Sequence, residues 1–341
     1  MTVVVTGASG HIGANLTRAL LDAGRTVRAV VHDEAAALEG LDVERVRGDV
    51  RDVESMRRAF AGAEVVYHLA ARITLGTSDA ALVFATNIEG PRNVCQAALD
   101  TGVRRLIHFS SIHAFDDQPR DVPMDETRPP ALGGDFPVYD RSKAGGQAEV
   151  LAAVQRGLDA VIVNPSGVIG PGDFRISAMG QAFLDMWHGR LPGLVDGGFN
   201  WVDVRDVVAS AMAAETRGRT GERYLLPGHW VSVPDIARTV TELTGRRTPR
   251  FVSPMWLARA SVPLIAAWSA LTGRRPLYTS ASLRALRQNR VVVGAKAERE
   301  LGHSPRPFKD SVRDVYAWFE QAGFLREGWR ALPARTGQVD A

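Results

Sequence analysis

Tyr139 and Lys143 stand four residues apart, separated by Asp140-Arg141-Ser142. On a helix that spacing puts both side chains on one face. A tyrosine ordinarily keeps its proton up to a pKa of about 10. A fixed ammonium beside it favours the phenolate and pulls that value toward neutrality. Such a pair can pass a proton to or from a substrate oxygen near physiological pH. The same spacing also occurs on plain helix surfaces carrying an ordinary lysine, so the chemistry depends on what else the fold brings alongside.

The first such element opens the chain. Val3-Val4-Val5 is a β-branched run of the kind buried on both faces of a parallel sheet. It breaks into Thr6-Gly7-Ala8-Ser9-Gly10-His11-Ile12-Gly13 and continues as a helical pattern with Ile12, Leu16, Ala19, Leu20 and Ala23 on one face. Glycine permits positive φ and close approach of a ligand to the backbone. The helix start behind it offers free N–H groups and a positive dipole end, which suits a pyrophosphate. Gly7, Gly10 and Gly13 give G-x-x-G-x-x-G, one residue longer than the usual dinucleotide fingerprint. The alternative is a glycine turn that holds no ligand.

Strand and helix signals then alternate through Val27–Val31, Val43–Val46, a helix at 53–60, Val65–Leu69, a long helix from about Asp79 to Thr101, Leu106–Phe109, the Tyr139 helix and Ala160–Val163. This alternation predicts an α/β, Rossmann-type doubly wound parallel sheet. Ligands of such sheets sit beyond the carboxyl ends of the strands. Gly7, Asp49, Ala70 and Ser110-Ser111 all fall at such ends. Asp116–Pro137, rich in Pro, Asp and Gly, reads as a loop over the site. From Pro165 the pattern is less regular, with helices expected near 176–189, 206–216, 234–244, 254–272, 279–288 and 308–323 and short strands near Trp201, Tyr224 and Ser232. The expected division is 1–165, with parts of 200–235, for the sheet; 166–330 for a smaller mixed α/β C-terminal lobe that is discontinuous; and 331–341 for a flexible tail.

Together the glycine turn and the Y-x-x-x-K pair resemble the extended short-chain dehydrogenase/reductase superfamily, of the NAD-dependent epimerase/dehydratase type. The likeness is greatest to its dihydroflavonol 4-reductase and 3β-hydroxysteroid dehydrogenase group. Further matches, in order, are Gly48-Asp49-Val50-Arg51-Asp52, His68-Leu69-Ala70-Ala71, Asn87-Ile88-Glu89-Gly90, Phe109-Ser110-Ser111, Asn164-Pro165 and Val202-Asp203-Val204-Arg205-Asp206. The resemblance implies catalytic Ser111, Tyr139 and Lys143, with Asn87 supporting a water-linked proton path. Ser111 would donate to the substrate oxygen and Ser110 is the neighbouring alternative; Lys143 would also hold the nicotinamide ribose. The cofactor would lie along Gly7, Ser9, Gly10, His11, Ile12, Gly13, His32, Asp49, Val50, Leu69, Ala70, Ala71, Ser110, Tyr139, Lys143, Pro165, Gly167 and Val168, with Asp49 meeting the adenine amino group. Ser111, His113 and Tyr139 would face the substrate. Asn164 departs from the pattern, standing where an Arg often precedes the Pro.

NAD-selective members place an acid at the end of the second strand. The matching Val31 has none, and His32 follows where NADP-dependent reductases of this group carry an Arg, with Asp33 opposing. The resemblance therefore implies NADP(H) slightly ahead of NAD(H). Phe183, Met186, Trp187, Leu191, Leu194 and Met255–Leu271 make the C-terminal part apolar and poor in groups for a phosphate, which points to a hydrophobic ketone, aldehyde or alcohol. Within it Leu257, Ala260, Leu264, Trp268 and Leu271 have helical spacing, suited either to packing on the lobe or to an apolar lid. Two alternatives share the scaffold: a nucleotide-sugar epimerase or dehydratase, and a non-catalytic NAD(P)-binding sensor.

The bulk numbers are compatible with this reading. The 341 residues are 45% hydrophobic and 23% charged, as in an ordinary globular protein. A net charge of +3 with scattered basic residues gives no support for nucleic-acid binding; Arg246-Arg247 and Arg274-Arg275 read as solvated loop charges. Cys95 is the single cysteine, which excludes an intrachain disulfide and reads as a small buried filler. No His/Asp/Glu group has metal-ligand spacing. The strand beginning at residue 2 leaves no room for a signal peptide, and Trp256–Leu271 falls short of the roughly 20 apolar residues that span a bilayer. A cytoplasmic homodimer is the expectation.

Overall fold

In the computed structural model the alternation resolves into β1 (Thr2–Thr6), α1 (His11–Asp22), β2 (Thr26–Val31), β3 (Glu44–Arg47), α2 (Val53–Phe60), β4 (Val65–His68), α3 (Ala80–Phe84), α4 (Gly90–Asp100), β5 (Arg105–Phe109), α5 (Val138–Gln155) and β6 (Ala160–Pro165). The structure describes residues 2–32, 36–73, 79–272, 278–287 and 289–326; the expected tail at 331–341, Asp33 and the Arg274-Arg275 doublet lie outside the described residues. The expected helix from Asp79 to Thr101 is one run broken in the middle: Ala85–Glu89 between α3 and α4 is a π-helical segment carrying Asn87. The second part comprises β7 (Gly167–Ile169), α6 (Ala178–Trp187), β8 (Leu194–Val195), β9 (Gly198–Asp203), α7 (Val204–Arg217), β10 (Arg223–Leu226), β11 (His229–Ser232), α8 (Val233–Thr244), β12 (Val252–Ser253), α9 (Met255–Thr272), α10 (Ser280–Ala285), α11 (Ala295–Leu301) and α12 (Phe308–Gln321).

The main sheet is all parallel, in the order β10-β6-β5-β4-β1-β2-β3. Its strand order reverses between β1 and β4, the place where a doubly wound sheet opens its ligand crevice. Alternate residues of each strand feed two cores. Val3, Val5, Tyr67, Ile107 and Val163 pack with Leu16 and Leu20 of α1 and Val207 and Ala211 of α7. Val4, Val66, Leu106 and Ile162 pack with Met56 and Phe60 of α2, Val94 of α4 and Val150 of α5. Burial on both faces explains why these strands read as continuous apolar runs. β10 and α7 come from the second half of the chain and return to this sheet.

A smaller lobe has its own core, in which Phe183, Trp201, Ile236, Val240, Phe308, Tyr316 and Phe319 interlock around short β7-β9-β11 and β8-β12 sheets. Phe183, Met186 and Leu194 are buried there, so they fill the lobe. The stripe Leu257, Ala260, Leu264, Trp268 and Leu271 faces away from the lobe, with every member exposed; the packing side of α9 is the one bearing buried Ala258. The packing reading of that stripe is thus corrected: Ala258, Val262 and Ile265 repeat at the same helical period and lie inward instead. Asp203 caps α7 through the Arg205 N–H (2.9 Å), while Arg205 bridges to Asp314 of α12 (2.6 Å) and Arg306 to Asp206 (2.6 Å). The Val202–Asp206 motif therefore clasps the lobe's last helix to the start of α7.

The glycine turn is where backbone packing is tightest. A Cβ on Gly13 would lie 2.2 Å from the Gly7 carbonyl oxygen and 2.9 Å from Ala8 Cα, and neither backbone atom can move without opening the turn. Gly13→Ala is expected to lower unfolding free energy by about 2 kcal/mol or more. Gly134→Ala, whose Cβ meets nothing within 4 Å, should stay within about 0.5 kcal/mol of the parent. Chemical denaturation of the two variants side by side checks this; equal midpoints would show that the turn has slack.

Candidate active site

The predicted residues gather at the carboxyl ends of β1, β2, β4, β5 and β6. Gly7 has φ +70°, and a Cβ there would lie 2.7 Å from the Ala70 nitrogen, so the glycine loop and the Leu69-Ala70-Ala71 segment touch backbone to backbone. Thr6 Oγ1 accepts from the Leu69 and Ala70 N–H groups (3.2 and 3.3 Å). Gly10 precedes α1 with no side-chain cap, which leaves the first N–H groups, from His11, Ile12 and Gly13, available to an anion. His11 Nε2 is hydrogen-bonded to the Pro171 carbonyl (3.1 Å), and Asn15 donates to the same oxygen (3.0 Å). These bonds hold the glycine loop against the chain that follows Pro165, Gly167 and Val168. The cradle is small-walled, backbone-lined and positively polarised, which fits a dinucleotide.

Ser110 and Ser111 are separated by their partners. Gln147 of α5 donates to Ser110 Oγ (2.8 Å), while Ser111 Oγ accepts from the His113 N–H (3.2 Å) and lies near enough to the Tyr139 hydroxyl to lower its proton affinity. The serine that meets the tyrosine is Ser111. Lys143 Nζ lies buried and donates to the Phe109 carbonyl (3.0 Å). Burial pulls the Lys143 amine down to about 8. Burial of its hydroxyl pushes Tyr139 up to about 12, the neighbouring Ser111 hydroxyl opposes this, and the Asp140 charge adds to it. The expected lowering of the tyrosine by Lys143 is not what this geometry produces, because desolvation dominates and the amine is turned to a strand-end carbonyl.

Asn87 is buried and fully bonded. Its Nδ2 donates to the Arg72 carbonyl and to Ser142 Oγ (2.9 Å each), and its Oδ1 accepts from the Arg72 N–H (2.8 Å). Its side chain thereby locks the loop after β4 to α5. His113 is paired with Asp140 (3.1 Å) and stands edge-on to the Tyr139 ring (5.6 Å between centroids). Asp49 is gripped by Arg51 through Nε and Nη2 (2.9 and 2.5 Å), with His32 at 3.7 Å. Burial pushes the Asp49 carboxyl up, but the hydrogen bonds from Arg51 outweigh it and hold the group below its usual range. The Val50 carbonyl accepts from Asn93 (3.1 Å).

Several residues of the site play roles that their place in the sequence did not give. Asn164, wholly buried in β6, donates to the Ser111 carbonyl (2.9 Å), fixing the strand end that presents the serine; its place before Pro165 was the available hint. Thr6, His68 and His108 stand in register on β1, β4 and β5, with Thr6 Oγ1 and His68 Nδ1 2.7 Å apart and the two imidazoles 5.2 Å apart. Burial, then the Lys143 charge, brings His68 down to about 3. Burial also lowers His108 well below its ordinary value, with the charges of His68 and Lys143 adding to the effect. The loop at 116–137 is pinned by buried Arg128, which donates to the carbonyls of Gln118, Pro119 and Val122. No group of three or more His, Cys, Asp or Glu that could hold a metal occurs among the described residues.

A parallel sheet in this order, a glycine turn at its switch point and a Ser–Tyr–Lys set on β5 and α5 define a nucleotide-binding α/β fold of the short-chain dehydrogenase/reductase kind. The chain belongs to the NAD dependent epimerase/dehydratase family, whose model matches residues 3–226, and so to the extended short-chain dehydrogenase/reductase superfamily. It is 38% identical to sterol demethylase protein B of Methylococcus capsulatus over 95% of this chain and 100% of that one. It is 30% identical to 4-hydroxy-2-methyl-3-oxo-4-farnesyl-3,4-dihydroquinoline-1-oxide ketoreductase of Stigmatella aurantiaca over 98% and 100%. Among solved structures it resembles that of gox2253, with a TM-score of 0.83, 32% identity and coverage of 95% of this chain and 99% of that one.

The depressed Lys143 gives stability a specific pH dependence. The unfolded chain holds that proton up to about pH 10.4, the folded one up to about 8. Between those values the unfolded state binds more protons, so this group makes stability rise with pH through the window and penalises folding fully below it. Lys143→Met is expected to raise unfolding free energy at pH 7 by about 1 kcal/mol or more, with the gain shrinking as pH approaches 10. Denaturant titrations at pH 7 and 10 read this directly. A difference from the parent that is the same at both would show an unperturbed lysine.

Proposed function

We propose that this protein is an NAD(P)-dependent oxidoreductase that interconverts a hydrophobic ketone or aldehyde with the corresponding alcohol. In this proposal the sheet (1–165 with parts of 200–235) holds the nucleotide and the remainder to 330 the substrate. The observation that carries the reading is the convergence of the Ser111 and Tyr139 hydroxyls with buried Lys143 beside the strand-end crevice, from the end of β5 and from α5. A carbonyl oxygen placed between these two hydroxyls would accept from both. A bound nicotinamide supplies the hydride chemistry. Ser111 orients the substrate oxygen, held by Asn164 at its own carbonyl. Tyr139 supplies the proton, and a phenol held up at about 12 is protonated at neutral pH, the state that reduction requires. The Lys143 ammonium, close to neutrality in its proton affinity, takes up the ribose contact and can return a proton toward the tyrosine.

The alternative, a nucleotide-sugar epimerase or dehydratase, would need cations for a diphosphate in the lobe. Arg190 is bound to Asp185 (3.7 Å), and an unpaired buried diphosphate is costly to desolvate. Two full-length relatives with names that include a sterol and a farnesylated ketone favour an apolar substrate. A non-catalytic sensor would have no use for Ser111, Tyr139 and Lys143 together.

Tyr139→Phe is expected to leave cofactor affinity near the parent value and to lower carbonyl reduction by about 100-fold or more, a usual share for a general acid. Steady-state rates with a panel of aryl ketones, steroids and nucleotide sugars, alongside cofactor titration, test both residue and substrate class. Parent-like turnover in the variant removes Tyr139 from the mechanism. Response to nucleotide sugars alone favours the epimerase reading.

For the cofactor we propose a preference for NADP(H). Val31 ends β2 without the carboxylate that would bond ribose hydroxyls and repel a 2′-phosphate, and partly exposed His32 is next to it. Val31→Asp should shift the ratio of specificity constants toward NADH by about tenfold or more, the equivalent of one lost charge contact. A parent enzyme that already favours NADH tenfold would refute the preference.

A further inference from the structure

The helix α9 is apolar on the side it packs and equally apolar on the side it shows to solvent. Trp256, Leu264, Trp268 and Leu271 are 70%, 74%, 64% and 84% exposed, and Phe251 just before the helix is 63% exposed. Arg259 is the one charge in the eighteen residues Met255–Thr272. A water-facing helix surface ordinarily carries polar groups, and a contiguous exposed apolar face marks an interaction site.

The charge around it is one-sided. Between positions 243 and 297 the sequence has ten Arg and Lys and no Asp or Glu, leaving 31 basic against 38 acidic residues for the rest of the chain. Arg246, Arg247 and Arg250 are exposed within ten residues of the helix start, and none of them pairs with a carboxylate among the described residues. Arg246 stacks instead on the Trp187 ring (4.6 Å).

We propose that α9 docks this protein on an anionic lipid bilayer, lying in the interface with its outer face among the upper acyl chains and the flanking arginines at the headgroups. An amphipathic or apolar helix edged by Arg and rich in Trp has the composition of an interfacial anchor, and basic residues beside it are attracted to anionic lipid. None of the described helices is long and apolar enough to cross a membrane, so the helix lies along the surface. A second copy of the chain fits less well, since pairing two such faces would juxtapose two segments that both lack acidic residues, and like charges across an interface oppose association. Nucleic acid would use the arginines but leave the tryptophans and leucines in water.

The test is flotation of the full chain with phosphatidylcholine vesicles made with and without phosphatidylglycerol. The protein should rise with the anionic vesicles, and less so as salt increases. Leu264→Asp with Leu271→Asp should weaken that binding roughly tenfold or more, and so should the triple change Arg246→Gln, Arg247→Gln, Arg250→Gln. All five positions are on the surface, so two independent variants report on the same contact. Absence of binding to either vesicle, or equal binding to both, overturns the proposal. A parent dimer that becomes a monomer by light scattering in the aspartate variant, with no flotation in either form, assigns the face to a second copy and likewise overturns it.

Discussion

The buried amine of Lys143 is the constraint around which this site is built. An ammonium removed from water needs a partner, and the partner here is the Phe109 carbonyl at the last residue of β5. That bond fixes α5 against the end of β5, and everything else in the site follows from it. One helical turn earlier on the same face, Tyr139 is brought to Ser111, two residues beyond Phe109; one turn later, Gln147 reaches Ser110. Asn87 adds a third tie from the π-helical segment through Ser142. The tie is close enough that a Cβ on Gly146 would sit 2.3 Å from the Asn87 carbonyl oxygen.

What could be read from the sequence divides along physical lines. The sheet was readable because a strand buried on both faces must be apolar throughout, as Val3–Val5 and Ala160–Val163 are. The glycine turn was readable because Gly7 and Gly13 have no room for a side chain, so composition records geometry there. The four-residue interval of Tyr139 and Lys143 was readable as one face of a helix, but their electrostatics were not. Proton affinity depends on desolvation and on which carbonyl the amine finds, and neither is written in a four-residue interval. Gln147 and Arg128, and the role of Asn164, were invisible for a related reason: each acts on a backbone carbonyl or a hydroxyl distant in sequence, and any polar residue in a loop, helix or strand looks the same until the fold supplies its partner.

The lobe illustrates the limits of apolar periodicity. Phe183 and Met186 carry the same signal as pocket-lining residues and turn out to fill a core of interlocked aromatics, while Leu194 is buried in β8. The α9 stripe carries the same signal again and faces outward. Period fixes which side chains share a face, but not which face is covered, because that depends on neighbours brought from elsewhere. The Val202–Asp206 motif shows the converse, since its charges join the start of α7 to Asp314 of α12 and to Arg306 just before that helix.

Buried polar atoms without protein partners are rare in folded proteins and each carries a penalty. Here His68 Nε2, both ring nitrogens of His108, Asn164 Oδ1 and Ser166 Oγ are in that condition. They belong to the ends of β4, β5 and β6 or the residue just beyond, the same rim that presents Ser111 and Lys143. Apolar residues of similar size would fill these places with less penalty, as Ile162 and Val163 do deeper in β6. Five of the nine such atoms among the described residues share this edge, the others being on Thr17, Arg25, Arg141 and Trp201, and a working site is where a protein sacrifices stability. The imidazoles of His68 and His108 are held neutral there by burial, with the Lys143 charge adding to the effect.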